Sequence, residues 1–363
     1  MYLALYRKYR PNSFDRIVGQ EHVTRTLQNQ IKNDQIGHAY LFCGSRGTGK
    51  TSAAKVFARA INCVSPKDGS PCGECEVCKT LKENNSIDII EIDAASNNGV
   101  EEIRDLRDKV KYPPTVGKYK VYIIDEVHML TPNAFNALLK TLEEPPAHAV
   151  FILATTEVHK LPATILSRVL RFDFKLISTE TIAELITRIF AESKIKAEPT
   201  AVNLIAKAGQ GSVRDALSIA DMCASFSNND IKYEDAVEVL GISDGETIYN
   251  LGSAILEQRI NDFFKEFTEL AGAGKNLTVT ANDLTKFFRD LLVIKTCGTG
   301  FVEYNTEILE KMQALSQSVS QSKLNDAMQA FSRIESEMKY SLNPQLLIET
   351  TALGLLDDEV KKN

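Results

Sequence analysis

Gly44-Ser45-Arg46-Gly47-Thr48-Gly49-Lys50-Thr51 is the stretch that decides the fold. It fits G-x-x-x-x-G-K-[ST] without a mismatch, and it lies between an apolar run, Ala39–Cys43, and a helical one, Thr51–Ile61. Strand, glycine-rich turn and helix are the context that gives this pattern its meaning. The glycines let backbone N–H groups turn inward around phosphate oxygens, and the helix N-terminus adds a favourable dipole. Lys50 is placed to reach β- and γ-phosphates, and the Thr51 hydroxyl to hold Mg2+. Gly44 through Thr51 are therefore the expected phosphate-binding residues, with ATP as the ligand.

A matching second half follows. Val121-Tyr-Ile-Ile is an apolar strand that ends at adjacent carboxylates, Asp125 and Glu126. Asp125 is expected to hold Mg2+, usually through water. Glu126 is expected to orient and polarise an attacking water. Between the two motifs lies a further strand, Ile87–Ile92, and after them come Val150–Ala154 and Leu170–Phe174. Runs such as Val-Tyr-Ile-Ile and Val-Phe-Ile-Leu are continuous rather than alternating, which suits a parallel sheet covered on both faces. Thr131-Pro132 opens a helix over residues 133–144, with Thr as cap and Pro in the first turn, and Pro145-Pro146 stops it.

Strand signals vanish after about Lys175, and the remainder reads as helices with a plausible hinge at 241–244. The expected class is α/β with a parallel sheet, followed by a small helical domain and an all-α C-terminal domain. Hydrophobic residues at 44% and charged residues at 25% are ordinary for a globular chain. No apolar stretch is long enough to span a bilayer. Residues 1–11 carry Arg7, Lys8 and Arg10 with no apolar run after them, which argues against a signal peptide and for a cytoplasmic location. A net charge of −6 neither announces nor excludes a nucleic-acid partner, because binding depends on a local basic patch.

Seven cysteines include four within a short span, Cys63, Cys72, Cys75 and Cys78. Clustering and an odd total argue against a disulfide framework. Four thiolates can enclose a tetrahedral ion, and they favour Zn2+. An Fe–S cluster is the rival, but the ferredoxin run has its fourth Cys and a Pro downstream, and neither is present here. With no open coordination position such a site is structural.

The motif order, together with Leu5-Tyr-Arg-Lys-Tyr-Arg-Pro11, Phe14-Asp15 and Ile17-Val-Gly-Gln20, resembles the gamma/tau subunits of bacterial DNA polymerase III clamp loaders, a branch of the AAA+ ATPases. The cysteine insertion after the phosphate-loop helix is similar as well. The resemblance implies that Tyr9, Pro11, Ile17 and Val18 surround the adenine. It implies that Thr155 is the sensor 1 residue, which reads the γ-phosphate. It implies that Arg214, in Gly211-Ser-Val-Arg214-Asp215, touches nucleotide from a lid. It further implies that Arg168, in Ser167-Arg168, is an arginine finger given to the neighbouring subunit's ATP site. Val169 stands where the usual Ser-Arg-Cys triplet has Cys, a change of one small apolar filler for another.

The same resemblance implies an AAA+ core over residues 1–176 with a zinc module inserted at 62–80, a lid at 177–242 and a collar at 243–363 that holds a five-subunit ring together. Implied partners are delta and delta-prime subunits, other gamma/tau copies, the beta sliding clamp and primed DNA held by its backbone. Some members also bind polymerase and helicase through a longer C-terminal extension. Two other readings stay open at this point. One is an AAA+ ATPase of branch migration or replication initiation, and the other a non-hydrolysing scaffold of a loader, which would lack Lys50 or Glu126. The loop Asp93–Gly99 also matches the family, without a role that the residues disclose.

Overall fold

A computed structural model describes residues 3–81, 86–241, 245–302, 304, 306–338 and 341–356. The chain divides into two compact units, residues 1–236 and 237–363. Residues 242–244 of the expected hinge lie outside the described residues, as do 357–363.

The first unit is built on five parallel strands: β1 Ala39–Cys43, β2 Ile89–Asp93, β3 Lys120–Asp125, β4 Ala149–Thr155 and β5 Leu170–Asp173. Their order across the sheet is β2-β3-β4-β1-β5. β4 is thus inserted between the strand that enters the glycine-rich loop and the strand that ends in Asp125. Register brings Cys43 opposite Thr155 and Asp93 opposite Asp125, so the chemically active strand ends lie on one edge. β1 and β4 are buried along their whole length.

Alternation sorts the strand residues between two faces. Leu41, Tyr122, Ile124, Phe151 and Leu153 pack with Ile103, Leu106 and Leu138, which belong to the helices Val100–Val110 and Pro132–Glu143. Tyr40, Phe42, Val121, Ile123 and Ile152 pack with Phe57, Ala53 and Leu27 on the other side. Each fully buried large apolar side chain contributes roughly 1.5–3 kcal/mol, and this two-sided burial is why the strands read as unbroken apolar runs. Thr131 caps its helix through Oγ1, which accepts from Ala134 N–H at 3.3 Å.

Asp88, just before β2, is almost fully buried. Its carboxylate accepts the N–H groups of Thr115, Val116 and Gly117 at 2.7, 2.6 and 2.9 Å. Asn62 Oδ1 accepts from Tyr119 N–H at 2.7 Å. The turn that feeds β3, the strand carrying Asp125, is therefore pinned by buried side chains.

Beyond Lys175 the expectation of an all-helical segment is corrected. A short parallel pair, β6 Lys196–Ala197 with β7 Asp230–Ile231, ties the ends of the small helical region together. Its helices are Thr179–Ser193, Pro199–Ala208 and Val213–Phe226. Ser178 and Ser212 cap two of them by accepting from Thr181 N–H and Asp215 N–H.

The second unit is helical. Its core gathers Phe263, Phe267, Phe287, Phe288 and Phe331, so Phe263, Phe267 and Leu270 are interior residues, with Phe264 packed against them. Gly252 permits the approach of the Phe287 ring, which any Cβ there would strike. Within this unit Asp290 is buried and accepts from Tyr304 Oη at 2.9 Å and Arg289 Nη1 at 2.6 Å.

Asp283, about two turns before Asp290, has a buried Oδ2 with no hydrogen-bond partner among the described residues. Burial pushes its carboxyl from 3.8 up to about 6, against the opposing pull of Lys286. The folded state therefore binds the proton more tightly than the unfolded state. Its stability is greatest below the unfolded value and falls as pH rises through the interval from about 4 to 6. At neutral pH the charged carboxylate costs on the order of 1–3 kcal/mol. Asp283→Asn is expected to raise the unfolding midpoint of this unit at pH 7, with the advantage shrinking toward pH 4. Thermal unfolding at the two pH values checks it.

Candidate active site and metal centre

A cleft of about 1190 Å³ opens over the strand ends of the first unit. Its walls bring together three stretches far apart in sequence: the phosphate loop with Asp125 and Glu126, the N-terminal segment, and the helical region that carries Arg214. Arg46, Gly47, Thr48, Gly49, Lys50 and Thr51 line it, as do Tyr9, Pro11, Ile17 and Val18. Gly44 and Ser45 form the entry to the loop behind them.

The loop folds as it does because two glycines accept close neighbours. Gly44 has φ +145°, and a Cβ there would strike the Phe174 carbonyl. Gly47 has φ +77° and faces the Ser212 side chain, so the helical region packs directly on the loop. Gln20 is fully buried and clamps the arrangement. Its Nε2 donates to Lys175 O at 2.7 Å, and its Oε1 accepts from Lys175 N–H at 3.1 Å.

Lys50 is 6% exposed and donates to the carbonyls of Gly44 and Ser45 at 2.7 and 2.8 Å. Burial lowers its pKa, while Glu126 and Asp125 raise it, so ammonium and both carboxylates share one field. Thr51 Oγ1 donates to Asp125 Oδ2 at 2.7 Å. A hydroxyl and a carboxylate oxygen side by side are the hard oxygen donors that Mg2+ takes.

Tyr9 hydrogen-bonds Ser193 Oγ at 2.7 Å, and Arg10 Nε donates to Ser52 Oγ at 3.3 Å. The N-terminal segment is thus held to both sides of the cleft. Arg214 lies over the Tyr6 ring, 5.4 Å from its centroid. Tyr6, Arg7, Arg10 and Arg188 also line the cleft, and the sequence reading had given none of them a role.

Besides Gly44 and Ser45, two expected site residues, Thr155 and Arg168, are not among those lining the cleft. Thr155 is fully buried, and its Oγ1 lies 3.0 Å from His128 Nδ1 and accepts from Glu157 N–H at 3.0 Å. Arg168 donates from Nη2 to Glu143 Oε1 at 2.8 Å and from Nη1 to Thr164 O at 2.7 Å. It is two-thirds covered and held away from its own chain's cleft.

The four cysteines form a second centre. The sulfurs of Cys63, Cys72, Cys75 and Cys78 all lie within 4.8 Å of one another. A tetrahedral zinc with Zn–S of about 2.3 Å has sulfurs roughly 3.8 Å apart, and Cys72 Sγ and Cys78 Sγ are 3.9 Å apart. Backbone N–H groups already point at the sulfurs. Cys72 N–H donates to Cys63 Sγ at 3.3 Å, Cys75 N–H to Cys72 Sγ at 3.4 Å, and Cys78 N–H to Cys75 Sγ at 3.4 Å. Such donation pulls the Cys72 thiol down to about 6, whereas burial raises Cys78. The donor set fits zinc.

The centre is tied to the N-terminal part of the unit. Ser70 Oγ accepts from Phe14 N–H at 3.3 Å, and Gln28 Nε2 donates to Asp68 O at 3.0 Å. Metal analysis is expected to find a single zinc per chain. A strong chelator or Cys72→Ser should release it and expose residues 63–81 to protease, with a lower melting point. Absence of bound zinc in freshly purified protein would contradict the assignment.

Comparison with known proteins now joins the geometry. A family model described as DNA polymerase III, delta subunit matches residues 19–178. A model of the DNA polymerase III clamp loader subunit, ATPase lid domain matches 181–229. A third, DNA polymerase III subunits gamma and tau domain III, matches 231–358. The DNA polymerase III subunit tau of Bacillus subtilis is 45% identical over 98% of this chain. The chain belongs to the DNA polymerase III gamma/tau family. The gamma/tau subunit of Mycobacterium tuberculosis is 38% identical over 98% of the chain, and the tau subunit of Escherichia coli 37% over 98%. This gamma/tau-family chain spans 63%, 62% and 55% of the length of those three relatives. Among solved structures, a RuvB variant of Thermotoga maritima aligns with a TM-score of 0.50 over 71% of this chain and 84% of its own, at 20% identity. That likeness is one of fold alone. Among the described residues no helix is long and apolar enough to cross a membrane.

Proposed function

We propose that this gamma/tau-family chain is the ATP-hydrolysing motor subunit of a DNA polymerase III clamp loader, which opens the beta sliding clamp and loads it onto primed DNA. The observation that carries the reading is the single cleft lined by Lys50, Thr51, Asp125 and Glu126, with Arg214 from the helical region on its wall. Those residues are what phosphoryl transfer needs, since catalysis there is positioning plus charge stabilisation.

In this reading ATP binds with its phosphates along residues 44–51 and its adenine among Tyr9, Pro11, Ile17 and Val18. Thr51 and Asp125 hold Mg2+, which neutralises charge on the phosphate oxygens when bound. Lys50 leaves the Gly44 and Ser45 carbonyls for phosphate oxygens. Glu126 polarises the attacking water. Thr155 senses the γ-phosphate through its hydrogen-bonded neighbours. Arg214 reports phosphate loss to the lid, whose rotation is the mechanical output. Arg168 serves the neighbouring subunit's site, which makes turnover depend on assembly.

The organisation proposed is an AAA+ core at 1–176 with a zinc module at 62–80, a lid at 177–242 and a collar at 243–363. The partners are delta, delta-prime and further gamma/tau copies, the clamp, and primed DNA gripped by its backbone. The cytoplasm is the setting. ATPase measurements on the assembled complex test the proposal. Stimulation that requires clamp and primed DNA together is expected. Stimulation by DNA that is indifferent to the clamp would favour branch migration instead, and no turnover in any mixture would favour a scaffold.

A further inference from the structure

We propose that the cysteine loop braces the adenine side of the cleft, with Ser70 as the positioning residue, so that metal at the four cysteines and nucleotide in the cleft strengthen each other's binding. The inference rests on the readings of the cleft as an ATP site and of the cysteines as a zinc centre.

The wall concerned has little structure of its own. Pro11, Asp15, Arg16, Ile17 and Val18 line the cleft, and the regular element in that stretch is the single 3-10 turn Phe14–Arg16. Ser13, just before the turn, offers it no side-chain cap. The N–H of Phe14 is buried, and a buried N–H left unpaired is costly. Its acceptor comes from the cysteine loop, where the buried Ser70 Oγ takes it at 3.3 Å. The turn that carries the cleft residues is thus capped from outside, two positions before Cys72.

Ser70 is itself held firmly. It closes a tight hairpin with Lys67, whose N–H donates to Ser70 O at 2.9 Å while Ser70 N–H donates to Lys67 O at 2.8 Å. The central residues Asp68 and Gly69 have φ of +50° and +76°, the pattern of a type I′ turn. The tip seats on the helix Glu21–Lys32. Asp68 O accepts from Gln28 Nε2 at 3.0 Å, Lys32 Nζ lies 3.1 Å from Asp68 Oδ1, and a Cβ on Gly69 would come within 2.9 Å of Gln28 Cα. A second tie runs from Lys50–Ile61, the helix that follows the phosphate loop. Arg59 Nη2 donates to Asn12 O at 3.1 Å, and the same guanidinium lies within electrostatic reach of Cys78. Four thiolates around a divalent ion carry net negative charge, which holds that guanidinium where it meets Asn12.

The coupling follows from chain connectivity. Cys63 and Cys72 bracket the hairpin, and their sulfurs converge with those of Cys75 and Cys78. While the sulfurs are gathered on an ion, the loop between them stays closed and Ser70 stays on Phe14. Once the thiols part, the loop opens and the Phe14 turn loses its cap. Nucleotide then meets a looser wall and binds more weakly, with the phosphate end untouched. Linkage requires the reverse as well: nucleotide that needs the ordered wall favours the closed loop, and hence the metal.

The test is equilibrium binding on the full chain, with wild type, Ser70→Ala and Ser70→Thr. One measurement is the Kd for a slowly hydrolysed ATP analogue with Mg2+, in zinc-loaded and in chelator-treated protein. The other is zinc affinity, by competition with a chelator that spares Mg2+, with and without the analogue. In wild type, zinc removal should weaken analogue binding about 10-fold, and the analogue should tighten zinc by the same factor. Ser70→Ala should keep its zinc, bind the analogue about 5-fold more weakly, and lose most of the coupling. In the assembled complex it should raise KM for ATP and leave kcat near wild type, and Ser70→Thr, which keeps the acceptor, should recover the affinity. Arg59→Met, which removes the second tie, carries the same expectation if Ser70→Ala does not fold. Equal analogue affinity with and without zinc overturns the proposal, as does a Ser70→Ala chain that retains the full coupling. If chelation unfolds the chain, zinc-loaded Ser70→Ala decides, and wild-type analogue affinity there overturns the proposal. A chain that binds no analogue removes the ATP reading, one that binds no zinc removes the metal reading, and the proposal falls with either. Binding of both without mutual effect sinks the proposal alone.

Discussion

Glu126→Gln is expected to cut ATP turnover of the assembled complex by about 10²–10⁴-fold, the range of a positioned acid or base, and to leave ATP affinity within a few-fold. The amide keeps the size of the carboxylate and its ability to accept from Thr156, so the contacts at 3.3 and 3.1 Å survive. What it loses is the negative charge that draws a proton from water. Lys50 loses a stabilising neighbour as well, but Asp125 remains to hold the ammonium form. Single-turnover hydrolysis alongside direct nucleotide binding separates the two effects. A variant that binds tenfold more weakly yet turns over normally when saturated would mean that Glu126 is a ligand for ATP and not a participant in its hydrolysis.

Arg168→Ala is expected to lower turnover in the assembled complex by roughly 10³-fold, the lower end of what an arginine finger supplies, with ATP affinity of each chain nearly unchanged. Glu143 and the Thr164 carbonyl take two faces of the Arg168 guanidinium, at 2.8 and 2.7 Å, and leave the side chain one-third exposed. Because it does not line its own cleft, its removal should be invisible to a lone chain. Arg168→Lys should rescue poorly, since an ammonium lacks the forked donors that match spreading phosphoryl charge. A complex mixing Arg168→Ala chains with Lys50→Ala chains offers a sharper reading, for turnover then depends on which chain neighbours which. Equal loss of nucleotide binding in the lone variant would contradict the in-trans role.

Much of the first unit was legible because its three central strands, β1, β3 and β4, are buried on both faces. The run Ala39–Cys43 was read at its true bounds, and the apolar run Val121–Ile124 fell one residue short at each end of the strand Lys120–Asp125. The phosphate loop and the Asp125-Glu126 pair were readable as text, and so was the N-terminal segment, whose four expected residues line the cleft. The cysteine spacing likewise announced four converging sulfurs.

What escaped reading has a physical reason in each case. β6 and β7 are two residues each, too short to carry any period. The helix Val100–Val110 places only Ile103, Leu106 and Val110 inside, a thin stripe among charged residues. Asp88 serves backbone N–H groups at 115–117, and no side-chain pattern displays an interaction with backbone. Thr156 meets Glu126 because β3 and β4 are neighbours in the sheet, which the order of motifs does not reveal. Gln20 stood inside a recognised run, yet its buried clamp on Lys175 became visible only with the fold.

A structure of the assembled complex with a slowly hydrolysed ATP analogue and Mg2+ bears most directly on the reading of this cleft. The expected result has Lys50 Nζ released from Gly44 and Ser45 and within about 3 Å of a phosphate oxygen, with Asp125 and Glu126 facing the same triphosphate. Phosphates seated elsewhere, with the ammonium still on those two carbonyls, would contradict it.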